Sequence, residues 1–162
     1  MLDTKAQWIW INGNPQSNEY AIFEENFIYN GGKAELKILA ETDYIAYING
    51  KRVAFGQFAG YPNEKYYDTI LLNDFCNKGE NVLTITVRYE GLNSATHIDD
   101  GAGVMFTVEE DGRLLAYSCE KTKGGFDGRY LQHEKRFITV QLGYTSTMQA
   151  EVPHNWVGCR LV

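Results

Sequence analysis

The sequence predicts an all-β fold, an antiparallel β-sandwich of jelly-roll type, and three observations predict it. Several segments alternate apolar and polar side chains at period two, turn residues separate them at short intervals, and no window sustains a helical period. Aromatic residues make up 14% of the chain, with 11 Tyr and 8 Phe against 3 Pro, which suits pleated, half-buried surfaces better than helices. At 162 residues the chain fits one domain and can bury a core without staples.

The elements follow in order. Trp8 to Ile11 and Tyr20 to Ile28 are strand-like, and Ala34, Leu36, Ile38 and Ala40 alternate with Lys33, Glu35 and Lys37 as a strand with one wet face. Tyr44, Ala46 and Ile48 run up to Asn49-Gly50, and Val53 and Phe55 leave it, which reads as a hairpin. Its two-residue turn needs positive φ, and Asn-Gly tolerates that. A short turn fits Leu72 to Cys76. After Lys78-Gly79-Glu80-Asn81, Leu83, Ile85, Val87 and Tyr89 face one way; Val104, Phe106 and Val108 then turn at Asp111-Gly112 and return through Leu115 and Tyr117. A late strand uses Ile138, Val140 and Leu142. Gly31-Gly32 and Gly124-Gly125 read as plain turns, Gly56 to Tyr67 and Gly91 to Gly103 as long loops, and 149–162 as a linker or tail after a sandwich spanning 1–148.

Charge and composition narrow the function. A net charge of -6, with the 15 basic residues scattered, argues against nucleic acid, which needs clustered Lys and Arg. No apolar run approaches the roughly 20 residues that cross a bilayer as a helix. Asp3 stands where a signal peptide would be positively charged, so the expected location is cytoplasmic. Cys76, Cys119 and Cys159 form an odd set without metal-type spacing and are expected to be free, partly buried thiols.

The segments AIFEENFI (Ala21 to Ile28), YINGKRVAFG (Tyr47 to Gly56), EKYYDTILLNDF (Glu64 to Phe75), KGENVLTITVRYEG (Lys78 to Gly91) and ITVQLGY (Ile138 to Tyr144) form a series. In order and spacing it resembles the N-terminal β-sandwich of bacterial α-L-rhamnosidases of glycoside hydrolase family 78, a galactose-binding-like jelly roll. The resemblance implies an accessory module that packs against a catalytic barrel of the same polypeptide and has rhamnose-containing glycans in reach. That family carries its two catalytic carboxylates on a large helical barrel, for which 162 residues leave no room. In its typical members a Trp-bearing segment follows the second hairpin, where this chain has Lys and Gly in Ser118 to Phe126.

No catalytic residue is therefore expected within the chain. The acidic pairs Glu24-Glu25 and Glu109-Glu110 read as solvated. Ser94 and Thr96, near His97, lack the elbow, oxyanion donors and ordering acid of a nucleophilic site. The carbohydrate-binding candidates are Tyr61, Tyr66 and Tyr67, whose rings can stack on the apolar face of a sugar, and His97, Asp99 and Asp100, which can meet its hydroxyls. Those residues define an alternative, an independent lectin-like module. No cofactor is expected; calcium on the Asp99-Asp100 oxygens is the one metal the composition suggests, with His97-Ile98-Asp99-Asp100 read as a polar surface loop. Trp8 and Trp10 are expected in the core or at an interface with a further domain.

Overall fold

The computed structural model describes residues 2–56, 62–93, 97–149 and 152–162, and among them every regular element is a strand. In chain order these are β1 (Ile9–Trp10), β2 (Glu19–Tyr29), β3 (Ala34–Glu41), β4 (Asp43–Ile48), β5 (Lys51–Gly56), β6 (Asp68–Leu71) and β7 (Gly79–Tyr89). They continue with β8 (Gly103–Glu110), β9 (Arg113–Tyr117), β10 (Lys123–Phe126), β11 (Phe137–Thr139), β12 (Gly143–Tyr144), β13 (Asn155–Trp156) and β14 (Arg160–Leu161). One sheet runs β14-β1-β8-β3-β6 with β9 also on β8, and the other runs β13-β10-β2-β7-β4-β5. All pairings are antiparallel, so the architecture is the expected sandwich.

The longest ladder joins β2 to β7 without a break, from Glu19 opposite Tyr89 to Tyr29 opposite Gly79. Opposite it, β3 pairs β8 from Ala34 with Glu110 to Glu41 with Gly103. Alternation then decides what fills the space between: Phe23, Leu83, Ile85 and Val87 from one sheet meet Leu36, Ile38, Val104, Phe106 and Val108 from the other, all at 1% exposure or less. Trp10 lies fully inside this interior and donates its indole N–H to Glu19 Oε1 at 2.7 Å. Trp8 is half-buried.

Tight turns gather at one end of the sandwich. Asn49 and Gly50 take φ of 51° and 78°, and Asp111 and Gly112 take 50° and 78°, so both predicted hairpins close as read. Phe75 and Cys76 donate backbone N–H groups to Leu72 O, forming the expected short turn. At the corner from β2 to β3 the N–H groups of Asn30, Gly31 and Gly32 converge on Glu110 Oε1 at 2.8–2.9 Å, and Asn30 Nδ2 donates to Oε2. The Asn30 side-chain amide leads in holding this carboxyl below its usual range, with the Gly32 N–H next. Glu110 is thus a buried corner post and not the solvated residue expected, while Glu109 is paired with Lys37 at 2.7 Å.

Three further expectations need correction. Gly124-Gly125 is not a turn but part of β10, which pairs β2; a Cβ on Gly125 would meet Asn155 O at 2.3 Å, so glycine lets β13 approach. The tail is not free of strand structure: β13 joins β10 and β14 joins β1, each through two residues, too few to show alternation. The late segment does alternate, but only 137–139 forms a strand, paired with β12 outside both sheets. Ile138, Val140 and Leu142 are 50%, 62% and 63% exposed, so their alternation serves no core of this chain.

Polar bonds hold that outer hairpin in place. Asn18 Nδ2 donates to Glu134 O and Thr145 O, both at 2.8 Å, Arg88 Nη2 donates to Tyr144 O at 2.9 Å, and Tyr20 meets Ser146 through its hydroxyl. The Tyr20 ring stacks on Tyr130 with centroids 4.3 Å apart. Beside it, fully buried Asp127 accepts from Thr86 Oγ1 at 2.9 Å, from Arg129 Nε at 2.9 Å and from Arg129 Nη2 at 2.6 Å. Burial alone would raise this carboxyl, but the Arg129 bonds outweigh it and hold the group below its ordinary range. The three cysteines are free and half-buried, and burial pushes the Cys76 thiol up to about 11 and Cys159 to about 12.

Two outcomes follow from this packing. Phe106→Ala should cost about 3–5 kcal/mol in urea denaturation, whereas Ile138→Ser should stay within about 0.5 kcal/mol of wild type. The depressed Asp127 carboxyl contributes stability that is present above its unfolded pKa of about 3.9 and is lost as pH falls through the folded value. Denaturation curves from pH 7 down to about pH 2 should show that loss, and Asp127→Asn should be less stable at pH 7 by about 1–3 kcal/mol while losing less on acidification.

Candidate functional site

The end of the sandwich opposite the tight turns carries the long connections. β3 finishes at Glu41 directly across from Gly103, the first residue of β8, and the segment leading into β8 brings His97, Asp99 and Asp100 to the same place. The segment before β6 brings Lys65. Trp8 covers the β8 start so closely that a Cβ on Gly103 would lie 2.1 Å from its Nε1, which is why glycine stands there.

Glu41, His97 and Asp99 form the inner group, with one donor atom from each lying within 4.8 Å of the others. Glu41 and His97 are each 6% exposed, and His97 Nε2 sits 2.8 Å from Glu41 Oε1. That carboxylate, more than any other neighbour, holds the imidazole above its ordinary range against the opposing effect of burial. The contact has the distance of an ion pair without the alignment of a hydrogen bond: Glu41 Oε1, both ring nitrogens of His97 and Asp99 Oδ1 are buried without a hydrogen-bond partner.

The remaining oxygens of the two carboxylates are occupied. Lys65 Nζ donates to Glu41 Oε2 at 2.9 Å and lies 3.1 Å from Asp100 Oδ2. Burial would lower the Lys65 ammonium, but Glu41 and Asp100 raise it, and it stands 5.7 Å from the centre of the Trp8 ring as a cation–π contact. The Tyr89 hydroxyl donates to Asp99 Oδ2 at 3.1 Å, and Asp99 N donates to Asn93 Oδ1 at 2.8 Å.

Three of the six sequence candidates, His97, Asp99 and Asp100, therefore come together with Lys65. His97 is the exception to the expected surface loop, because Glu41 and the β8 start enclose it. Tyr66 and Tyr67 stand 72% and 38% exposed on the segment after Lys65, and Tyr61 lies outside the described residues. Glu41 and Lys65 were not read from the sequence. The available signal was the acid at the break between two alternating strands, Glu41-Thr42-Asp43, where neither sheet needs a carboxylate. Chemically, the buried inner group can hold a proton or a cation, while Lys65, Trp8 and Asp100 lie against one another beside it, with Tyr66 and Tyr67 exposed next along the chain.

No family model matches the chain, and no curated protein sequence matches it. Solved structures do share its fold. A GH78 family rhamnosidase of Bacillus sp. GL1 superposes with a TM-score of 0.89 at 23% identity, covering 100% of this chain and 19% of that one. An α-L-rhamnosidase from Aspergillus terreus gives 0.64 at 20% identity over 98% of this chain and 21% of its own. A lectin from Pleurotus ostreatus, solved in complex with GalNAc, gives 0.56 at 16% identity over 96% of this chain and 42% of its own. The chain thus spans about a fifth of the length of these two rhamnosidases, and its fold is that of a part contained within those longer chains.

Proposed function

We propose that this chain is a non-catalytic accessory β-sandwich of an α-L-rhamnosidase-like glycoside hydrolase, whose task is to pack against a catalytic barrel in the same polypeptide. The observation that carries this reading is the outer hairpin of β11 and β12. Hydrogen bonds from Asn18 and Arg88 fasten it to the domain, while Ile138 on its strand and Val140 and Leu142 on its turn leave an aliphatic series 50–63% exposed. Soluble domains rarely leave such a series uncovered unless something docks on it. Full-length agreement in fold with about a fifth of a GH78 rhamnosidase supports the same reading.

A second reading, an independent lectin-like carbohydrate-binding module, draws on one specific observation. Tyr66, Tyr67 and Asp100 lie exposed beside Lys65 at the loop end, a combination of stacking rings and hydrogen-bonding groups suited to a sugar. The fungal lectin with the same fold favours it too.

The experiment takes the coding sequence past Val162 and, where it runs on into a barrel, expresses the two parts separately. The wild-type sandwich is expected to copurify with that barrel and to leave an aryl rhamnoside unhydrolysed by itself. A variant with Ile138→Glu, Val140→Glu and Leu142→Glu should keep its circular dichroism and lose the association. A reading frame that stops, failure of the wild-type pair to associate, or sustained turnover by the isolated chain would overturn the reading. Saturable glycan binding abolished by Tyr66→Ala would select the lectin-like one.

A further inference from the structure

We propose that Glu41, His97 and Asp99 form a binding site for one transition-type divalent cation, zinc being the probe of choice. The pattern of engaged and unengaged atoms is the argument. Each carboxylate has one oxygen tied to an outer partner, Glu41 Oε2 to Lys65 and Asp99 Oδ2 to the Tyr89 hydroxyl. Each has its other oxygen buried without a hydrogen-bond donor, and these oxygens face an imidazole that meets Glu41 Oε1 at 2.8 Å as an ion pair but makes no hydrogen bond through either ring nitrogen. Buried polar atoms of this kind are costly to leave unanswered, and here they converge from three side chains within 4.8 Å. Outer partners that fix one oxygen and aim the other are what metal centres use to orient their ligands.

The donor set selects the ion. Calcium takes six to eight oxygens, whereas this cluster offers two free carboxylate oxygens and a ring nitrogen, a set that suits zinc and its neighbours. Donors around a tetrahedral ion with bonds of about 2.1 Å lie about 3.4 Å apart. Glu41 Oε1 and His97 Nε2, now 2.8 Å apart, would part slightly to reach that spacing, and Asp99, on a connection and not in a strand, would move in about the oxygen that Tyr89 holds. Two carboxylates balance the charge of a divalent ion, and the Lys65 and Asp100 charges balance one another outside it. Three protein ligands leave the ion a fourth position on the rim side, open to water or to an oxygen of a bound molecule. This site is independent of the accessory role proposed above.

The test uses the full chain stripped with a chelator and then dialysed, titrated with zinc by calorimetry and with cobalt by visible absorption. One ion per chain is expected, with a cobalt spectrum of tetrahedral type. His97→Gln and Asp99→Asn should each weaken binding at least tenfold, and Asp74→Asn, at an exposed carboxylate, should leave it unchanged. Circular dichroism checks that the variants fold; should His97→Gln not fold, zinc-dependent shifts of the wild-type His97 ring resonances decide in its place. Binding that survives His97→Gln but is lost in Cys159→Ser would put the ion on the thiols and overturn the proposal. So would absence of zinc binding, unmoved His97 resonances, or calcium binding tighter than zinc at these residues.

Discussion

The uninterrupted ladder between β2 and β7 is the constraint on which the rest of the structure depends. Its eleven paired positions fix which side chains of two strands face the interior, and a slip of one residue would turn all of them outward. The same register sets Glu19 beneath Trp10, Thr86 beside Asp127, Arg88 under the outer hairpin and Tyr89 against Asp99. Core, edge cover and loop-end cluster are therefore all referenced to one ladder, although they lie in different parts of the molecule.

Buried carboxylates mark places where the chain enters or leaves a sheet. Glu19 opens the long ladder, Glu90 follows β7, Glu110 ends β8 against the corner from β2 to β3, Asp127 follows β10 and Glu41 ends β3. A buried carboxylate is tolerated only when donors answer it. Both oxygens of Glu19, Glu110 and Asp127 have such donors, supplied by backbone amides, an indole, amide side chains, a hydroxyl or a guanidinium. Glu41 differs from these three in having one oxygen without a hydrogen-bond donor, set 2.8 Å from His97 Nε2. The same group thus closes a hydrogen-bond network at Glu19, Glu110 and Asp127 and faces an imidazole at Glu41.

Much of the fold was legible because alternation and turn chemistry agreed. Asn49-Gly50 and Asp111-Gly112 take the positive φ values their residue types allow, and Leu83, Ile85 and Val87 face inward as their spacing says. What escaped was structure too short or too glycine-rich to carry a period: β10, β13 and β14. The segment of Ile138, Val140 and Leu142 misled for another reason. Period-two alternation reports that one face of a strand is apolar, not which molecule covers it. Of the loop-end cluster, the half lying on one short stretch, His97 to Asp100, was readable, since adjacency in sequence guarantees adjacency in space. Glu41 and Lys65 join it through the pairing of β3 with β8 and β6, a relation no local motif expresses.

The closing segment has a consequence for where the chain can be cut. Residues 152–162 lay one short strand along β10 and another along β1, and so protect the margins of both sheets at once. A protein shortened to its first 148 residues would lose little of the interior beyond Cys159, which packs against it, but would expose two ribbons of unpaired amides and carbonyls, each a template for a neighbouring molecule. Its failure would show as aggregation of folded material, not as unfolding.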